Sequence, residues 1–183
     1  NRISMPLSKV GDSEISQLWK KIKKIRPYLI QGHPSTMYIL SKYIERYQDF
    51  DFGAFTVFES TGETIDQKKL NSIEKNTGCI VYNRYGNAEF GVMAHSKENP
   101  HELEIIDYNT HIESTSLGNG LEELVATSMT NTFMPLIRYK TGDFGEVIHK
   151  NGRDYITNLY GRVHDVIKID NQLYPTHFIQ ETL

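Results

Sequence analysis

The feature that most restricts the fold is a strand, helix and strand pattern in the first half of the chain. Residues 54–58 form a short apolar run rich in Phe and Val, which predicts a buried strand. A helix is predicted from about Ile65 to Lys75, and Gly78 then leads into a second strand over 79–82. Because strands joined through a helix run parallel, this region predicts a crossover unit in a parallel sheet.

Two amphipathic helices precede this unit. The first is predicted over 13–26, where apolar side chains recur at helical spacing and lysines occupy the opposite face. Pro27 ends this helix, and a second helix is predicted to begin at 32–35 and to run to Tyr47. We interpret the lysines as a solvated helix face, because the polar side of an amphipathic helix usually faces water.

After Phe90 the pattern changes to short strands separated by turns. Five strands are predicted, over 90–94, 102–106, 123–128, 145–149 and 154–158. Asn151-Gly152 is a strong hairpin signal, and a last hairpin is predicted from 166–169 and 172–174, before a helix near Thr176. We therefore predict an α/β fold in which a parallel crossover unit is followed by a small antiparallel β-barrel-like subdomain.

The composition restricts the partners. With 183 residues, a net charge of -3 and 38% hydrophobic residues, the chain lacks the basic surplus that nucleic acid requires. No apolar run approaches the ~20 residues that span a bilayer, and the start has no signal peptide pattern, so we expect a cytoplasmic protein without a membrane partner. Cys79 is the one cysteine, which excludes an internal disulfide and favours a buried, inert thiol. The oligomeric state is not predicted.

Polar residues follow the two predicted strands of the crossover unit. Ligands of open parallel sheets bind at the carboxyl ends of the strands, which predicts a nucleotide near 60–63 and 83–89. Tyr85 offers a flat face for adenine, the amide oxygen of Asn83 can meet the adenine amino group, and Gly86 allows close approach of the backbone. The other interpretation is an ordinary Tyr-Gly segment after a strand.

A second candidate lies in Met134-Pro-Leu-Ile-Arg-Tyr-Lys-Thr-Gly-Asp143, an apolar run of strand formers that ends in a Gly followed by an acid. The Asp143 carboxylate can accept hydrogen bonds from two neighbouring ribose hydroxyls. Arg162 can add a planar, charged fork for a phosphate or ribose oxygen. The alternative is a strand that ends in a Gly turn, with Asp143 solvated.

Three segments, 124–128, 134–143 and 161–168, resemble motifs of adenylate-forming enzymes and occur in the same order. The similarity is strongest to the phenylacetate-CoA ligase branch, including its relatives associated with capsular polysaccharide biosynthesis. Residues 83–89 resemble that family's Asn-x-Tyr-Gly-x-Thr-Glu segment, and 60–64 resemble the turn whose backbone lines the adenine slot.

The resemblance implies site residues and ligands. Gly62 and Glu63 would line the adenine slot, and Glu89 would reach Mg²⁺ held against the phosphates. The implied ligands are ATP or AMP, Mg²⁺, a small carboxylic acid and, by analogy, coenzyme A. His164 stands where the family has its hinge residue, and Asp165 follows as a substitute.

The resemblance covers nearly the whole chain but only a middle portion of a full enzyme. The family's phosphate loop lies upstream and its catalytic lysine downstream, so we expect an internal fragment that carries no catalytic residue and is inactive alone. The expected division is a partial nucleotide-binding subdomain over 1–94, a β-rich subdomain over 95–161, and the hinge with the start of a small domain over 162–183.

Two residues differ from the family's motifs and leave a second hypothesis open. Ala88 occupies the place of a threonine whose hydroxyl meets the α-phosphate, and His164 replaces the usual hinge Asp or Lys. These changes favour a non-catalytic adenylate-fold protein that binds a nucleotide or a partner in a surface-polysaccharide pathway. A third possibility is an α/β piece whose likeness is architectural only.

Overall fold

A computed structural model describes residues 11–118, 120–169 and 172–175, and the chain divides into two compact units between Tyr82 and Asn83. Helices and strands alternate through the first unit. Its elements are α1 (Asp12–Ile25), β1 (Leu29–Gly32), α2 (Pro34–Tyr47), β2 (Val57–Ser60), α3 (Gln67–Thr77) and the beginning of β3 (Ile80–Asn87). None of the helices in the described ranges is long and apolar enough to cross a membrane.

The sheet of the first unit is parallel where β1 meets β2, with Leu29 opposite Val57 and Gly32 opposite Ser60. The Ile80 N–H donates to the Thr56 carbonyl at 2.9 Å, which brings the start of β3 beside β2. A parallel sheet was predicted and is confirmed. No pattern predicted β1, because four residues are too few to show a period and two of them are exposed.

The apolar faces predicted for α1 and α2 form the core of the first unit. Trp19, Leu40 and Ile44 are almost completely buried, together with Phe58 of β2 and Ile73 of α3. The Trp19 indole N–H donates to the Asp49 carbonyl at 3.0 Å, so the polar edge of this buried ring is satisfied.

The second unit is antiparallel. The rest of β3 pairs with β4 (Gly91–Ser96), and β5 (Leu103–Ile105), β10 (Arg153–Thr157) and β9 (Glu146–Lys150) follow across the same sheet. A second sheet contains β6 (Thr110–Gly118), β7 (Leu121–Ser128) and β8 (Tyr139–Phe144), and β11 (Val166–Ile169) pairs with β12 (Gln172–Pro175). The predicted fold class, with an antiparallel part after a parallel part, is confirmed.

One core holds the two larger antiparallel sheets of this unit together. Met93, Leu103 and Ile156 come from the first of these sheets, and Ile112 and Leu124 come from the second. All five side chains are at most 2% exposed, so the sheets bury their apolar faces against each other.

The structure corrects the predicted position of the strand in Met134–Asp143. Met134 and Ile137 are 66% and 72% exposed and precede β8, which begins at Tyr139. Asp143 therefore lies inside a strand and not in a turn after it.

Glu123 pairs with Phe144 and Val125 with Lys140, so one residue of β7 faces three of β8. This bulge needs the left-handed conformation of Gly142, whose φ is 74°.

Other boundaries also differ from the predictions. β3 continues to Asn87, so the predicted loop after Tyr82 is mostly strand, and β6 was not predicted because its sequence is largely polar. The hairpin of β11 and β12 is confirmed. The helix predicted near Thr176 lies outside the described residues. The three-part division at 94 and 161 stays a prediction for the full-length protein.

Candidate functional site

Asp143 is the centre of the site in the second unit, and the bulge in β8 projects its carboxylate. Oδ2 accepts a hydrogen bond from the Tyr85 hydroxyl at 2.8 Å, and Oδ1 lies 3.2 Å from Nε of Arg162. The backbones of Asp143 and Arg162 also form an isolated antiparallel bridge. The structure thus brings together three residues predicted to bind the nucleotide.

Burial controls the electrostatics of this group. It raises the pKa of Asp143, and the Tyr85 hydrogen bond and the Arg162 charge act in the opposite direction. Burial also raises the pKa of Tyr85, and the negative charge of Asp143 adds to this effect. Tyr85 is therefore a neutral donor at physiological pH.

Tyr85 and Gly86 lie on β3 and not in a loop. Tyr85 is 7% exposed, so most of its ring is packed in the core. A Cβ added to Gly86 would lie 2.1 Å from the Gly91 carbonyl oxygen, so this glycine permits the close approach of β3 and β4. Stacking of adenine on Tyr85 and contact of a nucleotide with Gly86 stay predictions.

Asn83, also on β3, is fixed by the fold of the second unit. Its side-chain amide donates to the Pro100 carbonyl at 3.1 Å, and its backbone N–H donates to Oγ of Ser96 at 2.7 Å. The side chain is buried, so its amide orientation is set before any ligand binds. The contact of its oxygen with adenine stays a prediction.

Sequence reasoning missed Tyr139, the first residue of β8. Its hydroxyl donates to Oε1 of Glu89 at 2.9 Å. Tyr85 and Glu89 are four residues apart, and so are Tyr139 and Asp143, and each tyrosine donates to the acid of the other segment. We call Tyr85 with Asp143 and Tyr139 with Glu89 the crossed pairs. The repeated spacing of a tyrosine and an acid is the signal that could have identified Tyr139.

Glu89 is the predicted magnesium ligand, and this role stays a prediction. It is exposed on the turn between β3 and β4, and the Tyr139 hydrogen bond is the main reason that its pKa is lowered. Within the described residues, no group of three or more His, Cys, Asp or Glu side chains could hold a metal. Mg²⁺ is commonly held by one or two carboxylates together with substrate phosphates, so a single glutamate fits this chemistry.

The predicted residues Gly62 and Glu63 lie in the first unit, just after β2. The Glu63 carboxylate accepts from the Ser35 hydroxyl at 2.9 Å and from the Ser35 N–H at 3.2 Å, near the start of α2. Gly62 has φ 82°, and an added Cβ would lie 2.7 Å from the ring of His33. The turn is therefore tied to α2, and its role at the nucleotide stays a prediction.

The predicted hinge residues follow Arg162 closely. His164 and Asp165 are both exposed, and the Asp165 N–H donates to the Arg162 carbonyl at 3.0 Å. The Val163 N–H donates to the Gly142 carbonyl at 2.8 Å, so the segment before the hinge is anchored to β8. A hinge at 164–165 stays a prediction.

Similarity to known proteins is found in sequence and in structure. No model of a known protein family matches the chain. Protein CapK of Staphylococcus aureus is 27% identical over 156 residues, which cover 81% of this chain and 34% of CapK. The chain thus spans about a third of the length of this curated relative.

Three solved structures illustrate the shared fold. A 2-hydroxyisobutyryl-CoA ligase in complex with R3-HIB-AMP has a TM-score of 0.76 at 19% identity, over 91% of this chain and 39% of the ligase. The anthranilate CoA ligase AuaEII in complex with anthranoyl-AMP has a TM-score of 0.72 at 14% identity, over 92% of this chain and 36% of AuaEII. The amide bond synthetase McbA from Marinactinospora thermotolerans has a TM-score of 0.64 at 14% identity, over 90% of this chain and 38% of McbA.

The fold is that of the large N-terminal domain of adenylate-forming ligases. The predicted resemblance to these enzymes is therefore confirmed for the fold. The chain spans less than half of each of these ligases. Activity, substrates and partners of the whole protein are therefore proposals.

Proposed function

We propose that the full-length protein is a cytoplasmic, ATP-dependent carboxylate ligase and that this chain holds the adenosine part of ATP. A carboxylate oxygen of the acid attacks the α-phosphorus, which gives an acyl-adenylate and pyrophosphate. An acceptor then takes the acyl group and releases AMP. The acid is a small carboxylic acid, and the acceptor is coenzyme A or an amine.

The observation that carries this proposal is the position of the Asp143 carboxylate. Its two oxygens have about four lone-pair sites. The Tyr85 hydroxyl uses one site on Oδ2, and Arg162 lies at ion-pair distance from Oδ1, so both oxygens keep lone-pair sites for ribose hydroxyls. Because these contacts hold the carboxylate before ligand arrives, little freedom is lost when the ribose binds.

Arg162 is suited to bind a phosphate or ribose oxygen. Its side chain is 57% exposed and contacts Asp143 through Nε. A guanidinium has five N–H donors, so the terminal nitrogens can donate to the ligand while Nε stays on the carboxylate. The always positive charge also offsets the negative charge of the phosphates.

The residues of this chain would act by positioning and charge, since phosphoryl chemistry needs few covalent partners. Mg²⁺, when bound, would neutralise charge on the phosphates, and Glu89 would hold it. Asp143 and Arg162 would orient the ribose so that the α-phosphorus faces the incoming carboxylate.

Binding of ATP to the full-length protein tests the proposal. Replacing Asp143 by Ala removes both ribose contacts, and we expect the affinity for ATP to fall at least tenfold, or about 1.4 kcal/mol. Calorimetric titration measures the change. Asp143→Asn is the second variant, because it keeps an acceptor for Tyr85. Asp154→Ala, at a side chain of the same unit that is 45% exposed, is the control. Unchanged affinity in both Asp143 variants would contradict the proposal.

A non-catalytic nucleotide-binding protein is the second candidate. Ala88 favours it, because this exposed residue before Glu89 has no hydroxyl to offer the α-phosphate. Pyrophosphate release by the full-length protein with ATP and a panel of small acids separates the candidates. Release with any acid supports the ligase. If no acid gives pyrophosphate release although ATP binds tightly, the non-catalytic protein is supported. Release that appears only in Ala88→Thr identifies the missing hydroxyl.

A further inference from the structure

Tyr139 has no role in the function proposed above, although it contacts a residue that has one. Its hydroxyl donates to Oε1 of Glu89 at 2.9 Å, and its ring lies 5.8 Å from the ring of Phe90. Glu89 is exposed on the turn between β3 and β4, where packing does little to select one rotamer of a long side chain. The hydrogen bond from Tyr139 therefore limits the orientations of this carboxylate.

The backbone before Tyr139 is itself held in place. Arg138 has a φ of 50°, a conformation that is costly for a residue with a side chain. Its N–H donates to Oγ1 of Thr127 at 2.9 Å, and its Nη1 lies 2.6 and 2.8 Å from the two oxygens of Glu113. These contacts offset the cost and fix the point from which the Tyr139 side chain projects.

We propose that Tyr139 is a positioning residue for Mg²⁺, because its hydroxyl holds Oε1 of Glu89 and so limits the orientation of the carboxylate that would bind the metal. The inference rests on the proposed function, in which Glu89 is the metal ligand. Carboxylates that bind metals are themselves commonly hydrogen-bonded, and these partners orient the ligand. The fixed start of β8 makes Tyr139 a rigid donor for this purpose.

The test is the magnesium requirement of ATP binding in the full-length protein. Tyr139→Phe removes the hydroxyl and keeps the ring that contacts Phe90. ATP is titrated at a series of Mg²⁺ concentrations and in the presence of EDTA. We expect the variant to need about threefold more Mg²⁺, or more, for half-maximal enhancement of ATP binding, as the loss of one hydrogen bond implies, with unchanged ATP affinity in EDTA. Tyr108→Phe, at a tyrosine that is 78% exposed in the same unit, is the matched control.

A second comparison separates positioning from a general structural effect. In a Glu89→Gln background the metal ligand is already weakened, so adding Tyr139→Phe should cause no further rise in the Mg²⁺ requirement. An equal Mg²⁺ requirement in the Tyr139→Phe and parent proteins would overturn the inference alone. An equal loss of ATP affinity in EDTA and in Mg²⁺ would also overturn it. Absence of ATP binding by the parent protein would overturn the proposed function and this inference together.

Discussion

The crossed pairs share one kind of hydrogen bond but differ in their surroundings. Tyr85 donates to Asp143 at 2.8 Å, and Tyr139 donates to Glu89 at 2.9 Å. Tyr85 is 7% exposed and the Asp143 side chain 16%, whereas Glu89 is exposed to solvent. Despite bonds of nearly equal length, the pKa of Asp143 is raised by burial and the pKa of Glu89 is lowered by the bond itself.

The difference shows that burial, and not the hydrogen bond, decides how much each carboxylate destabilises the folded protein. A buried carboxylate gives up hydration, and one tyrosine and one arginine do not replace it fully. An exposed carboxylate keeps its hydration, and the tyrosine only selects its orientation. We therefore expect Tyr85 with Asp143 to contribute to stability and to ligand binding. Tyr139 with Glu89 should contribute to ligand binding alone.

The largest expected effect is that of Tyr85→Phe. The variant keeps the ring in the core but leaves Oδ2 of Asp143 without its donor, which costs about 1–3 kcal/mol for a buried acceptor. Hydrogen exchange of the full-length protein, read in peptides that cover β3 and β8, measures this loss as faster local opening.

Tyr139→Phe is the matched control for this measurement, because it removes the same atom from the exposed pair. Equal protection of β3 and β8 in the Tyr85→Phe and parent proteins would mean that the Tyr85 hydroxyl does not support the buried carboxylate.

A smaller effect on stability is expected from Asp143→Asn, and this effect depends on pH. Because the folded protein raises the pKa of Asp143 above 3.8, the folded state binds more protons than the unfolded state as the carboxyl titrates. The contribution of Asp143 to stability is therefore greatest in acid and falls as pH rises through the raised pKa. Asparagine keeps an acceptor for Tyr85 and never ionises.

The thermal midpoint of the full-length protein, measured from pH 4 to pH 8, checks this prediction. The midpoint of Asp143→Asn relative to the parent should increase with pH and then level off above the raised pKa. A relative midpoint that falls with increasing pH would show that Arg162 and Tyr85 more than compensate for burial.

The sequence predicted the order of helices and strands because their apolar residues follow the helical and strand periods. It predicted the faces of α1 and α2, and Trp19 and Ile44 are buried as expected. It failed at β6, whose polar side chains hide the strand period, and at 134–137, where Met134 and Ile137 are exposed. Whether an apolar run is buried depends on tertiary packing, which a local pattern does not contain.

The residues of the site were easier to predict than their contacts. Tyr85, Asp143 and Arg162 were each singled out, and the structure places them within hydrogen-bonding or ion-pair distance. Their convergence depends on the bulge in β8, which is visible only when β7 is paired with it. Tyr139 was passed over because a tyrosine at the start of a strand is ordinary until its partner is known.

The smallest expected effect is that of Tyr139→Phe on stability. Glu89 remains hydrated without the tyrosine hydroxyl, so no buried group is left unsatisfied, and the retained ring still contacts Phe90. Hydrogen exchange in β3, β4 and β8 should match that of the parent protein. If the variant loosened these strands as much as Tyr85→Phe does, the exposed pair would be a structural contact, and burial would no longer explain the difference between the pairs. Matching exchange together with an increased Mg²⁺ requirement would assign Tyr139 to the ligand and not to the fold.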